Sequence, residues 1–248
     1  MKKQQIWLLL DSSKAGGIES HVFQLAKGLH DHGEAPLVVF LTDYGKHPLR
    51  ELLVQHGIAH RTLNGRFITL CRKLRKERPA VLHTHGYKAG IFGRPSAWLN
   101  KIPVFSTYHA GEIASGKLAL YDRIDRLTAV FADHLFAVSP QIAKRLPSKA
   151  KVFDNFVNTT NLQNSTGKQI AFVGRVSEEK GPDNFAYLAK RFSESKFHLY
   201  GDGPLLPELR KSAPDNLYLH GQQNDMHAVW PQIALLVIPS RYEGLPMA

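Results

Sequence analysis

One cysteine, Cys71, in 248 residues excludes an intramolecular disulfide and fits a reducing compartment. No apolar run approaches the roughly 18–20 residues that span a bilayer. The run near the N-terminus, residues 6–10, is too short for the core of a signal peptide in spite of the two lysines before it. It reads instead as a first buried strand. The expected location is the cytoplasm, at most peripheral at the inner face of the plasma membrane. Acidic residues are scarce as well, with 21 Asp and Glu against 32 Lys and Arg and a net charge of +11. The imbalance is local. Residues 1–160 carry 23 basic and 12 acidic side chains, whereas residues 161–248 carry nine of each. All the excess positive charge therefore lies in the first part, and it points to an anionic partner met by that part alone. Nucleic acid and an anionic lipid surface are the two candidates. No helix-turn-helix, RNA-recognition or zinc pattern accompanies the charge, which ranks nucleic acid below lipid.

What is present is an alternation of short apolar runs with amphipathic segments. Residues 5–10, 37–42, 80–84, 103–108 and 134–138 read as strands. They are continuously apolar, as expected of parallel strands covered on both faces. Helical patterns occupy 18–30, 48–55, 67–76, 90–99, 118–132 and 141–146. The Asn-, Thr- and Ser-rich stretch 155–168 has little periodicity and reads as a linker. A second series follows, with strands at 169–173, 196–200, 216–220 and 234–238 and helices at 182–192, 204–212 and 226–231. The fold class is α/β, with two Rossmann-like doubly wound domains, residues 1–157 and 158–248. The second stops at its fourth strand and is expected to be incomplete.

Candidate chemistry lies in the loops after strands, where open α/β sheets bind ligands. Gly16 and Gly17, in DSSKAGGIE, precede a helix whose N-terminus would favour an anion; alone, the loop is as readily a plain turn. The loop GRVSEEKG sets Arg175 and Lys180 before another helix, a pair suited to a diphosphate leaving group. Glu178 and Glu179 within it read as a solvated turn. It is not a Walker loop, and GDGP lacks the third glycine of a dinucleotide fingerprint; it fits a mononucleotide diphosphate better, which makes Gly201 and Gly203 candidate donor-binding residues. His109 ends a strand in STYHAG, where an imidazole can donate to a sugar hydroxyl or stabilise developing charge. His83 and His85 read as structural rather than as the lining of an acceptor cleft. No Cys/His set has metal spacing, and Ser139 has no assignable base, so metal and serine-nucleophile chemistry are not expected. The helical stretch 66–78, RFITLCRKLRKER, combines Phe67, Ile68, Leu70, Cys71 and Leu74 with six basic residues. It is either a core-packed helix with a solvated basic face or a helix lying on an anionic bilayer, and the domain-wide charge favours the second.

The segments GGIESHVFQLAKGL, STYHAG, FAVSPQIAKRL, NFVNTT, FVGRVSEEKGPDNF, LYGDGPLLPEL, LHGQQND and IPSRYEGLPMA together resemble the family-4 retaining glycosyltransferases of the GT-B fold, in order and in spacing. The resemblance implies that Gly16 and Gly17 face the donor phosphate or the acceptor, and that His109 contacts the donor sugar. Arg175 and Lys180 would bind the diphosphate, and residues 220–224 would lie near the base. Glu243 would be the first glutamate of an E-x7-E motif and bind sugar hydroxyls, and the backbone N–H groups of Gly244 and Leu245 would add phosphate contacts. No cofactor or metal is implied beyond the nucleotide diphosphate sugar that serves as donor. Retention would proceed by front-face attack rather than through a pair of carboxylates.

The expected function is transfer of a hexose to a membrane-associated glycan or lipid-linked acceptor in surface polysaccharide or lipopolysaccharide synthesis. The linker departs from the more usual Asn-Gly-Val-Asp, and the second glutamate of the motif would fall three residues past Ala248. The alternative is therefore an inactive truncated fragment or pseudoenzyme, with nucleotide binding or an interaction role at most. A sugar-nucleotide epimerase of similar two-lobed fold is disfavoured by the Arg175–Lys180 loop combined with EGLPMA.

Overall fold

The computed structural model describes residues 3–14, 16–109, 116–146, 150–156, 164–223, 226–242 and 248. Two compact units divide the chain, the first up to residue 157 and the second beginning at 158.

The first unit is one parallel sheet of seven strands. They are β1 (Ile6–Leu10), β2 (Pro36–Phe40), β3 (Ala59–Thr62), β4 (Val81–His85), β5 (Val104–Tyr108), β6 (His134–Ala137) and β7 (Lys151–Val152), in the order β3-β2-β1-β4-β5-β6-β7. The helices are α1 (Gly17–Asp31), α2 (Pro48–Gln55), α3 (Phe67–Glu77), α4 (Tyr87–Leu99), α5 (Gly116–Thr128) and the single turn α6 (Pro140–Ala143). The central strand explains the unbroken apolar runs. Trp7 and Leu9 of β1 join Leu37, Val39, Leu70, Leu74, Ala89 and Ala97 in one core. Leu8 and Leu10 join Val38, Phe40, Val22, Ala26, Leu49 and Leu53 in the other. Each strand residue faces one helical layer or its opposite, so both registers of the strand must be apolar.

Between α4 and α5 a charged pair is sealed inside. Arg94 is 1% exposed and bonds to the Asp125 carboxylate, the Asp125 carbonyl at 2.6 Å, Thr128 Oγ1 at 2.7 Å and the Tyr108 hydroxyl at 3.0 Å. Burial pushes the Asp125 carboxyl up to about 6, with Arg94 opposing the shift. Gly90 is what lets the helices meet here, since a Cβ on it would collide with the Asp125 carboxylate and the Arg94 guanidinium.

Three expectations need correction. Strands β3 and β7 were not anticipated, because edge strands need no continuous apolar run: Ala59 is exposed and the rest of β3 only half-buried. Residues 226–231 are not an α-helix; the Met226 carbonyl closes a turn on the Val229 and Trp230 amides, and one 3-10 turn, Trp230–Gln232, follows around Pro231. Helix α3 does not keep its apolar face for a bilayer. Leu70 and Leu74 are fully buried in the core, leaving Ile68 exposed beside a basic outer face.

The second unit has four parallel strands, β8 (Gln169–Val173), β9 (Phe197–Tyr200), β10 (Leu217–Gly221) and β11 (Ile233–Leu236), in the order β10-β9-β8-β11. Helices α7 (Pro182–Arg191) and α8 (Leu206–Ser212) close one face through Phe172, Phe185, Phe197, Leu199, Leu206 and Leu209. The other face carries a smaller cluster of Ala171, Tyr200, Val229 and Ile233. Beside it the rings of His198, Tyr200, Tyr218 and His220 stack across β9 and β10, with Tyr218 and His220 exposed.

Candidate functional site

In a doubly wound sheet the crevice opens where the strand order reverses. In the first unit that point lies between β1 and β4, and a pocket of about 390 Å³ opens there. Asp11 beyond β1, Ile18 of α1, Gly86 and Lys88 around the start of α4, His109 beyond β5, and Leu118, Tyr121 and Asp125 of α5 are among the residues that line it. Gly16 caps α1 with extended backbone and no side-chain bond, and Gly17 opens the helix. Both glycines are exposed.

Behind His109 lies a group of imidazoles from three elements. His85 Nδ1 is 3.2 Å from His109 Nε2, and the His21 and His109 rings are 4.7 Å apart, edge to face. His21 Nδ1 is 3.0 Å from Asn155 Oδ1, and His83 Nε2 is 2.7 Å from Thr107 Oγ1. Burial lowers the pKa of His21, His85 and His109, and that of His83 to about 3, with mutual repulsion adding to the effect at His83, His85 and His109. The imidazoles are therefore neutral at pH 7.

The hydrogen bond also fixes where the protons sit. Among the described residues, His85 Nε2 is buried without a partner. An orphaned lone pair is tolerated more readily than an orphaned N–H, so His85 carries its proton on Nδ1 and donates it to His109 Nε2. His109 must then hold its own proton on Nδ1. Residues lining a pocket that carry a fixed neutral donor suit hydroxyl-bearing ligands. His21, His85 and His109 also place one nitrogen each within 4.8 Å of one another, so neutral imidazoles at this spot could hold a metal ion. Local spacing in the sequence gave no hint of that set.

Two residues missed by the sequence reading stand at the same pocket. Asp11 Oδ2 accepts from the Tyr44 hydroxyl at 3.0 Å and pairs with Lys88 Nζ at 3.2 Å, and Lys88 also reaches Thr42 Oγ1 at 2.8 Å. The second oxygen, Oδ1, is buried and unpartnered. Their position was the available signal: one directly follows β1 and the other opens α4.

In the second unit the order reverses between β8 and β11. The loop after β8 holds exposed Arg175 and half-buried Lys180, the latter closing a 3-10 turn, Glu178–Lys180, just before α7. The segment after β11 is tied to this loop by Arg241, which the sequence reading did not single out. Its guanidinium reaches both Asp183 oxygens, at 2.8 and 2.5 Å, and the Glu178 carbonyl at 2.9 Å, and its amide donates to the Glu179 carbonyl at 2.8 Å. Gly201 and Gly203 sit where two backbones come close. The Gly201 amide donates to the Gly221 carbonyl and the Gly203 amide to Asp202 Oδ1, and a Cβ on either would strike the backbone of Gly174 or Val176. They let two loops pack together, and their N–H groups are already engaged. Glu243, Gly244 and Leu245 lie outside the described residues, as does Asn224 of the stretch expected near a base.

Residues 15–160 match the model of Glycosyltransferase Family 4, and residues 167–248 match that of Glycosyl transferases group 1. A UDP-Gal:alpha-D-GlcNAc-diphosphoundecaprenol alpha-1,3-galactosyltransferase of Escherichia coli is 28% identical over 220 residues, 73% of this chain. The chain spans 57% of the length of that curated relative. The crystal structure of Anabaena HepE with UDP and glucose superposes with a TM-score of 0.82 at 17% identity, covering 96% of this chain and 74% of its own. The lipopolysaccharide outer core galactosyltransferase WaaB superposes with a TM-score of 0.64 at 15% identity, covering 98% and 76%. At these identities the superpositions establish the GT-B fold class, with two Rossmann-like domains, and nothing finer.

Proposed function

The chain belongs to glycosyltransferase family 4, and from that premise we propose that it acts in a retaining transfer of a hexose from a nucleotide diphosphate sugar to a lipid-linked or other membrane-associated glycan. The observation that carries this reading is the Arg175–Lys180 loop, held by Arg241 at the reversal of strand order in the second unit. Two cations before a helix N-terminus stabilise a diphosphate as the bond from its oxygen to the anomeric carbon breaks. The acceptor hydroxyl attacks the anomeric carbon from the same face, and its proton passes to the departing diphosphate oxygen. His109, neutral and protonated on Nδ1, donates to a hydroxyl of the donor sugar. Glu243 bonds further sugar hydroxyls, and the exposed start of α1 at Gly16 and Gly17 offers backbone N–H groups to a phosphate.

The E. coli relative supports a uridine diphosphate hexose as donor and a diphosphate-linked lipid as acceptor. Such an acceptor supports a peripheral position at a membrane, which we assign to its cytoplasmic face; no helix among the described residues is long and apolar enough to cross one. Charge at the leaving group comes from side chains, so the reaction needs no divalent ion. A chelator should leave transfer unchanged; loss of activity restored by a divalent ion would reassign His21, His85 and His109 as ligands.

The direct test is transfer of labelled hexose from a panel of nucleotide sugars to extracted lipid-linked acceptors. Arg175→Ala should lower turnover about 100-fold or more, the scale of removing one transition-state donor, and Lys180→Ala should do likewise. Unchanged turnover in both variants would sink the assignment.

A further inference from the structure

The cations that line the pocket, Lys88 and Arg94, are each paired with a carboxylate and so do not account for the excess positive charge of the first unit, and α3 spends its buried apolar residues on the core. A different surface is left apolar. Trp98 and Leu99 at the end of α4 are each 59% exposed, Leu120 and Leu127 of α5 are 61% and 65% exposed, and Val130 in the turn after α5 is 74% exposed. The Trp98 ring lies 5.2 Å from Phe131, which joins the two helix ends. Leu120 and Leu127 are seven residues apart and so fall on one stripe of α5. Isolated exposed leucines need no explanation, but this many large apolar side chains on adjoining elements marks a contact surface.

Cations flank the apolar residues. Arg123 is exposed on α5 between Leu120 and Leu127, and α3, which packs against α4, exposes Arg72, Arg75 and Lys76. A surface of Trp, Leu and Val bordered by Arg and Lys is complementary to an anionic bilayer, whose headgroups attract the cations while the apolar tips enter the acyl boundary. A protein partner of the same apolar character would not call for a basic border, nor for the whole net charge of the chain to lie in this unit.

We infer that the surface formed by the end of α4, the outer stripe of α5 and the turn after it docks the first unit on an anionic phospholipid bilayer, with α3 supplying charge. The placement suits the pocket, because α5 serves both. Leu118, Tyr121 and Asp125 line the pocket, while Leu120 and Leu127 face away from it toward solvent. A sugar carried on a lipid would thus be presented along the helix that docks. The inference deepens the reading of a lipid-linked acceptor and rests on it for its purpose, although docking itself can be measured without any substrate.

Sedimentation with vesicles of phosphatidylglycerol and phosphatidylethanolamine is the test, with phosphatidylcholine vesicles as the neutral control. The protein should sediment with the anionic vesicles at low salt and less so at raised salt. Trp98 fluorescence should shift to the blue on binding, a change that Trp98→Phe removes, since Trp7 is already buried and Trp230 is half-buried in the second unit, not part of the docking surface. Leu127→Ser together with Val130→Ser should weaken vesicle binding about tenfold or more, given the apolar area withdrawn from the bilayer. The same double variant should leave transfer to a short-chain, water-soluble acceptor unchanged. Equal binding of wild type and double variant overturns the inference, as does equal binding to neutral and anionic vesicles. Self-association through the patch, seen by light scattering without vesicle binding, also overturns it. Normal docking with no sugar transfer would instead overturn the glycosyltransferase reading.

Discussion

The two units share a winding and differ in how they present polar groups. In the first, polar groups from α1, β4 and α4 are buried around the pocket: His21, His85 and Arg94 are at most 2% exposed. In the second, the corresponding reversal of strand order carries exposed cations, Arg175 and Arg241. Burial forces groups to be neutral or fully paired, because a lone charge is expensive out of water. Exposure leaves them charged. Neutral, oriented imidazoles suit hydroxyls, whereas a solvent-facing cation such as Arg175 attracts an anion with little internal cost, and Arg241 is spent on holding the loop.

The sharpest way to break the comparison is to disturb the ion pair of each unit. Arg94→Met leaves the Asp125 carboxyl buried without its partner and should cost about 3–5 kcal/mol of stability, the usual scale for stranding one member of a buried pair. A second change, Asp125→Leu, should recover a large part of that loss. Arg241→Met removes a pair in which both side chains are substantially exposed, 36% and 57%, so the urea midpoint should barely move. Its effect should appear in transfer, because the clamp loop loses its tie to the segment after β11. If Arg241→Met destabilised as much as Arg94→Met, or left transfer intact, the contrast between units would fail.

A pH titration of stability probes the same contrast more gently. In the unfolded chain each imidazole takes up a proton near 6.5. In the folded first unit His21, His83, His85 and His109 take it up only at lower pH, down to about 3 for His83. At these imidazoles the unfolded chain binds more protons below 6.5, so their contribution to stability is complete above 6.5 and declines as pH falls, while the raised carboxyl of Asp125 opposes them only below about 6. Each fully neutral imidazole contributes a slope of about 1.4 kcal/mol per pH unit. His198 and His220 of the second unit are shifted the same way but remain partly open to solvent. Hydrogen exchange at the amides of β4 and β5 between pH 7.5 and 5.5 should therefore accelerate more than at β8 and β9, after correction for intrinsic exchange. Equal acceleration in both units would contradict the neutral cluster.

How far these features were legible in the sequence depends on how far apart their parts lie. The parallel sheets could be read because strands such as Trp7–Leu10 are apolar on both faces, a local signal. The loop after β8 could be read for the same reason, with Arg175 and Lys180 only five residues apart. Strand β3 could not, since an edge strand as mixed as Ala59–Thr62 carries no periodic pattern. The imidazole cluster could not either: His21 comes from α1, His85 from β4 and His109 from beyond β5, and only the winding brings them to one place. His85 was read as structural because HTHGY looks like an ordinary strand end. Arg241 went unnoticed because its partner Asp183 is 58 residues away.

The smallest effect tests the most specific claim, that His85 sets the tautomer of His109. His85→Phe keeps the bulk, removes the Nδ1 donor and eliminates the orphaned Nε2 along with it, so stability should hold or improve. Without that donor His109 should revert toward the Nε2–H form usual for imidazole in water. Transfer should fall about tenfold, the worth of one hydrogen bond of about 1–1.5 kcal/mol to the donor sugar. His85→Asn places an amide N–H near the site of the lost Nδ1–H and should restore most of the activity. Long-range nitrogen-15 correlation spectra report directly which ring nitrogen of His109 is protonated, without any substrate. A His109 protonated on Nε2 in the wild type would overturn the assignment. Equal loss in the Phe and Asn variants would reduce His85 to a packing residue.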